Sequence, residues 1–318
     1  MNIPGDTGYY WRHEKLIEYV SKFPDEIGPV VKNFLKARNA SKSDVVWWVL
    51  LYSSCYCMGT ACVLYDCLDY KTITKRELRE FWENNKQRLI FQSDRRYIKN
   101  MNQFCDIVKE FLKRSKRKPW NYISQFIHDD PTDTYKELYK EVSSWKYYGR
   151  FGTILFMYNL NKLMSIDMYS ETYDWKNGAT TTSALYNAMY EDEKADLFDK
   201  QRKIAPKEQK YFDQYLNQII GELKEIAPKK RWTIMGVTSD LCSYRKLFKQ
   251  SRYLGYYVDR QQEELLFLEK SWPEKDFWEE LWQYRRKYVP DEYLGELNGW
   301  EGIQKERLTA WVDKGEFR

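Results

Sequence analysis

From Val45 to Tyr65 the chain carries no charge, and the run is about as long as a helix that spans a bilayer, roughly 20 residues. Its interior argues against a membrane. It contains Ser53, Ser54, Gly59 and Thr60, Asp44 and Asp66 bound it, and no clear Lys/Arg belt flanks it. The rest of the chain is strongly polar, with a mean hydropathy of -0.77. The segment is therefore expected to be a central helix buried on all sides by protein, in a soluble, mostly α-helical chain.

Helix signals continue along the sequence. Ser41–Asp44 reads as a capping box with Asp in place of the usual Glu, and Thr74–Glu77 as a cleaner one leading into Leu78, Phe81 and Trp82. Asp94–Leu112 carries an apolar stripe at helical spacing, as does Phe212–Leu223. Thr134–Glu137 and Ser271–Glu274 look like further helix starts, with Phe277, Leu281, Tyr284 and Tyr288 on the face of the last. Strand signals are poor, with Trp232–Val237 and Tyr253–Val258 the short candidates. No linker or repeat divides the 318 residues, so one compact helical domain over 1–318 is expected. The fallback is a boundary in the basic stretch Lys113–Trp120, giving 1–115 and 116–318.

Five of the six Cys lie before residue 106, and Met1–Asp6 shows no apolar leader, so reduced thiols in a cytoplasmic protein are expected. No C-x-x-C pair and only two His are present, which leaves zinc poorly supplied. His13 and His128 read as incidental. There is no G-x-x-x-x-G-K-[ST] loop, no G-x-G-x-x-G, no H-E-x-x-H and no zinc-deaminase signature. Those gaps exclude the usual P-loop, dinucleotide and zinc-hydrolase chemistries. What stands out is 17% aromatic residues, with 27 Tyr and 13 Trp. Such rings fill cores, and they also stack on unpaired bases.

Four polar clusters remain. Arg95, Arg96 and Lys99 bring cations onto one stretch of helix, which is either a phosphate contact or a solvated face. Lys113, Arg114, Lys116, Arg117 and Lys118 form a dense run ending at Trp120, suited to a DNA backbone or to a plain exposed loop. Gly149 and Gly152 flank Arg150 and permit close backbone approach, while Asn177–Ser183 offers hydroxyls beside an expected helix start at Ser183, an anion site or only a cap. Thr238–Lys246 and Arg252–Arg260 combine Asp240, Arg245, Lys246, Arg252, Asp259 and Arg260 with several Tyr, as a polar site or a surface ion-pair network.

Tyr52–Thr60, Gly149–Gly152, Leu241–Lys246 and Arg252–Arg260 together resemble the amino acid:DNA transferase family, from about Val45 to Glu264. That family serves phage systems that hypermodify DNA bases and stands near the α-glutamyl/putrescinyl thymine pyrophosphorylase group. The resemblance implies that a phosphorylated 5-hydroxymethyluracil in DNA exchanges its pyrophosphate for an amino acid or amine, in the cytoplasm of a bacterial host. The partners implied are DNA containing modified thymine and the free amine donor, with no membrane. No organic cofactor is implied; Mg²⁺ is compatible with the step, but no acidic cluster calls for it.

On this basis Arg150, Arg245, Lys246, Arg252 and Arg260 are expected to hold the phosphate or pyrophosphate, with Asp240 or Asp259 as the base. Tyr52, Tyr256, Arg95 and Arg96 are expected to touch the substrate, and Lys113–Lys118 the DNA backbone. The rival readings are a non-catalytic helical nucleic-acid-binding protein and an interaction protein whose clusters are only salt bridges.

Overall fold

The computed structural model describes residues 13–22, 27–91, 101–170, 173, 179–190, 205–228, 232–248 and 256–289, without the side chains of 15, 18, 19, 22, 101, 102, 179, 180, 187, 190, 243–248 and 256–259. Among these residues every regular element is helical and there is no strand. The mostly α expectation therefore holds. The short-strand candidates are corrected where they are described: helix begins at Ile234 in the first, and 256–258 of the second are helical, while 253–255 lie outside the described residues. No helix among the described residues is long and apolar enough to cross a membrane.

The helices gather into two compact units. The smaller unit consists of α1 (His13–Lys22), α10 (Ala179–Tyr190), α11 (Pro206–Ile226) and α12 (Ile234–Phe248). Phe212, Leu216, Ile219, Ile220 and Leu223 recur at helical spacing on α11, and all are buried as expected from the sequence. They pack with Leu16, Ile17 and Val20 of α1, Ala184, Leu185 and Ala188 of α10, and Ile234, Val237 and Leu241 of α12. The helix start expected at Ser183 is corrected to Ala179. Thr181, Thr182 and Ser183 are therefore buried within α10, and the Thr181 hydroxyl donates to the Thr238 carbonyl of α12 at 3.0 Å.

The larger unit contains α2 (Gly28–Ala37), α3 (Lys42–Cys55), α4 (Met58–Cys67), α5 (Lys75–Asn85), α6 (Met101–Arg114), α7 (Pro119–Ile123), α8 (Pro131–Ser143), α9 (Arg150–Met164), α13 (Tyr256–Ser271) and α14 (Trp278–Tyr288). Both capping boxes form. Ser41 Oγ accepts from the Asp44 amide and Thr74 Oγ1 from the Glu77 amide, each carboxylate answering the cap amide at 2.8 Å. Every residue of α3 from Val46 to Cys55 is buried, and the Trp47 indole donates to the Leu68 carbonyl at 2.9 Å. The uncharged run is thus interior, but it is two helices rather than one. Tyr56 takes a left-handed conformation (φ 55, ψ 34), its amide closes α3 on the Tyr52 carbonyl, and Cys57 is extended before α4 begins.

Two other boundaries move. Asp130, not Thr134, caps α8, while buried Thr134 bonds to both His128 and Asp130. Ser271 ends α13, and α14 starts at Trp278, because Pro273 lacks an amide hydrogen and the chain turns through 273–277. The α6–α7 connection also carries an unusual feature. Lys116 and Arg117 are consecutive left-handed residues (φ 47 and 58), a conformation that costs a non-glycine residue about 1–2 kcal/mol. The Arg117 guanidinium holds them by donating to the Tyr70 and Ile73 carbonyls at 2.6 and 2.7 Å.

Candidate functional site

The break between α3 and α4 organises the polar interior of the larger unit. Within it Tyr52 stacks on Trp48 (5.1 Å between centroids, 11° between planes) and tilts against Tyr56 at 5.9 Å. Tyr56 meets Phe151 edge-on at 5.5 Å, which brings the start of α9 to the same place. Trp48 and Tyr52 are buried, whereas Tyr56 and Phe151 are partly exposed. Tyr148 fixes the approach: its hydroxyl lies 2.6 Å from Ser53 Oγ and 3.3 Å from Ser54 Oγ. Arg150 is the first residue of α9, capped by Gly149.

α13 closes the other side of the break. The Gln261 amide donates to Met58 Sδ at 3.8 Å. Gly59 admits the helix, since a Cβ there would lie 2.6 Å from Leu268 Cδ1 and 3.1 Å from Leu265 Cδ2. The close approach expected at Gly149 and Gly152 is corrected: a Cβ at Gly149 meets nothing within 4 Å, and one at Gly152 meets only ordinary contacts with the Tyr148 ring. Arg260 Nε donates to Glu264 Oε1 at 3.0 Å, with the side chains 19% and 11% exposed. That shielding puts the pair in a regime where charge interactions exceed those of a surface bridge. Burial pushes the Cys57 thiol well up, and the nearby negative charge of Glu264 adds to the effect. Burial likewise raises Cys62 to about 12. Both thiols are therefore neutral at physiological pH and are not nucleophiles.

The residues expected to form one site are thus distributed. Tyr52 ends in the ring cluster at the α3–α4 break, Arg150 begins α9 beside Phe151, and Arg260 lies on α13, the helix that packs on Met58 and Gly59. Asp259 and Tyr256 precede Arg260 on α13, with side chains outside the described set. Asp240, Arg245 and Lys246 lie on α12 in the smaller unit, where Asp240 is partly buried and the other two side chains are not described. Arg95, Arg96 and Arg252 lie outside the described residues. In the basic run, Arg114 pairs with Glu110 and Glu141 at 2.8 and 2.9 Å and Arg117 serves the carbonyls of Tyr70 and Ile73, while Lys113, Lys116 and Lys118 are exposed.

Sequence reasoning missed three contributors. Gln261 and Glu264 belong to the polar run Asp259–Glu264 of α13, which reads as a solvated face, and only the spacing of Arg260 to Glu264 by four hints at that pairing. His13, read as incidental, lies between Tyr215 Oη (2.7 Å from Nδ1) and Glu222 Oε2 (2.7 Å from Nε2) in the smaller unit. Among the described residues no group of three or more His, Cys, Asp and Glu is arranged to hold a metal ion.

Around the α3–α4 break stand the partly exposed rings of Tyr56 and Phe151, with Arg150 next to Phe151 in sequence, and α13 carries the shielded Arg260–Glu264 pair. Flat aromatic faces suit an unstacked base, fixed cations suit an anionic leaving group, and a carboxylate suits proton removal. Residues 25–252 match the family model described as amino acid:DNA transferase. The chain is also similar to a serinyltransferase of Salmonella phage ViI, 24% identical over 306 residues that cover 85% of this chain and 70% of that protein. The family match spans α2 to α12 and stops short of Arg260 and Glu264.

Proposed function

The chain belongs to the amino acid:DNA transferase family, and from that premise we propose that it replaces the phosphate or pyrophosphate on an activated 5-hydroxymethyluracil in DNA with an amino acid. The nucleophile's N–H or O–H adds to the exocyclic methylene. The carbon–oxygen bond to pyrophosphate breaks, pyrophosphate leaves with the bonding pair, and the proton passes to a carboxylate. The product is a thymine carrying the amino acid on its methyl carbon.

The observation that carries this reading is the Arg260–Glu264 pair at the α3–α4 break, within the same assembly as Arg150, Tyr52 and Tyr56. Arg150 and Arg260 are assigned to the departing pyrophosphate, whose charge grows in the transition state. Glu264 is assigned as the proton acceptor, in place of the acidic residues nearer in sequence to the family motifs. Tyr56 and Phe151 offer their edges and faces to the extruded base. Asp240 and Asp259 remain the alternative proton acceptors, and Arg245, Lys246 and Arg252 stay assigned to the phosphate or pyrophosphate. Serine is the first donor to test, because the similar phage protein is named a serinyltransferase.

The test supplies the protein with DNA bearing pyrophosphorylated 5-hydroxymethyluracil and serine, digests the product and weighs the nucleosides. A new nucleoside heavier by the amino acid, with pyrophosphate released in equal amount, supports the reading. No new mass with any of the twenty amino acids, from a sample that binds the same DNA, overturns it.

A further inference from the structure

Three segments of the larger unit converge on one basic face, and the turn between α6 and α7 is held there against its backbone preference. Lys116 and Arg117 occupy consecutive left-handed positions where glycine is the inexpensive choice. The Arg117 guanidinium is committed inward, to the carbonyls of Tyr70 and Ile73. Lys116 and Lys118 on either side of it are exposed. The Trp120 amide donates to Ser43 Oγ at 3.2 Å, which docks the start of α7 on the start of α3, and Lys42 Nζ lies 4.7 Å from the centre of the Trp120 ring. Lys71 Nζ lies 5.4 Å from the Tyr70 ring, the residue whose carbonyl Arg117 holds. The neighbouring carboxylates are turned back on the chain: Asp44 accepts from Ser41, Asp69 from Lys71 N and Thr72, and Glu77 from Thr74. The strained turn is thus stabilised by an internal arginine while its lysines stay exposed.

We infer that Lys42, Lys71, Lys116 and Lys118, arranged around Trp120, form a track for the phosphodiester backbone of DNA, separate from the chemistry at the α3–α4 break. The inference rests on the reading that DNA is the substrate, and it adds residues from two further segments to the basic run. Lysines of this kind bind phosphate by charge and release counterions without reading sequence. The track therefore sets affinity and salt dependence and leaves the chemical step alone.

The test measures binding of labelled, unmodified DNA across a range of salt concentrations. Replacing Lys42, Lys71, Lys116 and Lys118 together with Ala should make the slope of log affinity against log salt shallower by roughly three units, at about 0.7–0.9 per phosphate contact. Replacing four exposed lysines elsewhere, Lys136, Lys207, Lys210 and Lys224, should leave that slope near the parent value. Lys116→Gly alone should unfold at higher urea than the parent while losing about one unit of slope, because it relieves the left-handed strain and removes a contact. An unchanged slope in the quadruple variant, or an equal loss in the control, overturns the inference, including in favour of an acidic protein as the partner. Unmodified DNA keeps the two readings apart. Failure of transfer with the slope effect intact removes only the proposed chemistry, and intact transfer with an unchanged slope removes only the track.

Discussion

The hydroxyl of Tyr148 lies 2.6 Å from the Oγ of Ser53, joining the approach to α9 to the end of α3 across 95 residues of sequence. Both groups are buried, and Ser53 also donates to the Leu50 carbonyl at 3.1 Å. Tyr148→Phe therefore removes one buried hydrogen-bonding group without leaving Ser53 unsatisfied. The expected cost is about 1 kcal/mol, or roughly 2–4 °C in melting temperature for a unit of this size. A urea midpoint identical to that of the parent would show that the pair does not position α9.

The Arg260–Glu264 pair is expected to separate stability from rate. Glu264→Gln keeps the shape and an oxygen that can accept from Arg260 but removes that guanidinium's countercharge, so it should lose some stability yet stay folded, and lose transfer by about a hundredfold or more as the proton acceptor is lost. Arg260→Ala leaves a shielded carboxylate without its guanidinium and should cost roughly 3 kcal/mol or more of stability. Single-turnover rates of Glu264→Gln, Asp259→Asn and Asp240→Asn, compared at saturating DNA, identify the acceptor. Full activity in Glu264→Gln with loss in either aspartate variant moves the role to that aspartate.

Alkali should unfold the larger unit through its thiols. Burial raises Cys62 from 9.0 to about 12 and Cys57 well above 9.0, so the folded state holds protons that the unfolded chain releases. Their stabilising contribution is complete below about pH 9 and is lost as pH rises towards 12. Each such thiol removes about 1.4 kcal/mol per pH unit in that window. Unfolding in urea at a series of pH values, under reducing conditions, measures the slope. Cys62→Ala should flatten it, and a stability that does not fall above pH 9 would contradict the burial of these groups.

In the smaller unit, His13 clasps α1 to α11 through Tyr215 and Glu222, and His13→Ala should cost about 1–2 kcal/mol. Burial alone would raise the Glu222 carboxyl, but hydrogen bonds from Gln218 and His13 outweigh it and hold the group below 4.5. Its contribution is present above that value and declines as pH falls through the lowered one. Acid titration followed by circular dichroism should therefore show an earlier transition in the parent than a flat baseline predicts, and a weaker pH dependence in Glu222→Gln. Equal acid sensitivity in the two proteins would remove Glu222 from the account.

Much of the helical architecture is legible in the sequence because its signals are local. The Ser41 and Thr74 boxes and the α11 stripe depend on residues within a few positions of one another, and all three form. The break at Tyr56 is not legible, because a tyrosine in the left-handed region leaves no mark in a run of apolar residues. Site residues divide the same way. The concentration of Arg and Tyr near 245–260 draws the eye to α13, but the place of Glu264 in the interior, with its charge felt by Cys57, follows from the packing of α13 on Gly59. Charge density also misleads in the 113–118 run. Arg114 and Arg117 are as basic as their neighbours, yet their guanidinium groups bind internal partners.

The make-up of the smaller unit has a consequence for how the protein is born. Its first helix and the helix that covers it are 202 residues apart at the His13–Tyr215 contact. At roughly 5–20 residues per second, synthesis takes about 10–40 s to deliver α11 after α1. Until α10 is made, and for α11 and α12 until later still, Leu16, Ile17 and Val20 lack their final neighbours. The nascent chain carries α1 without its partners from α11 and α12 while the larger unit's front half emerges, so the apolar face of Leu16, Ile17 and Val20 is covered only late in synthesis.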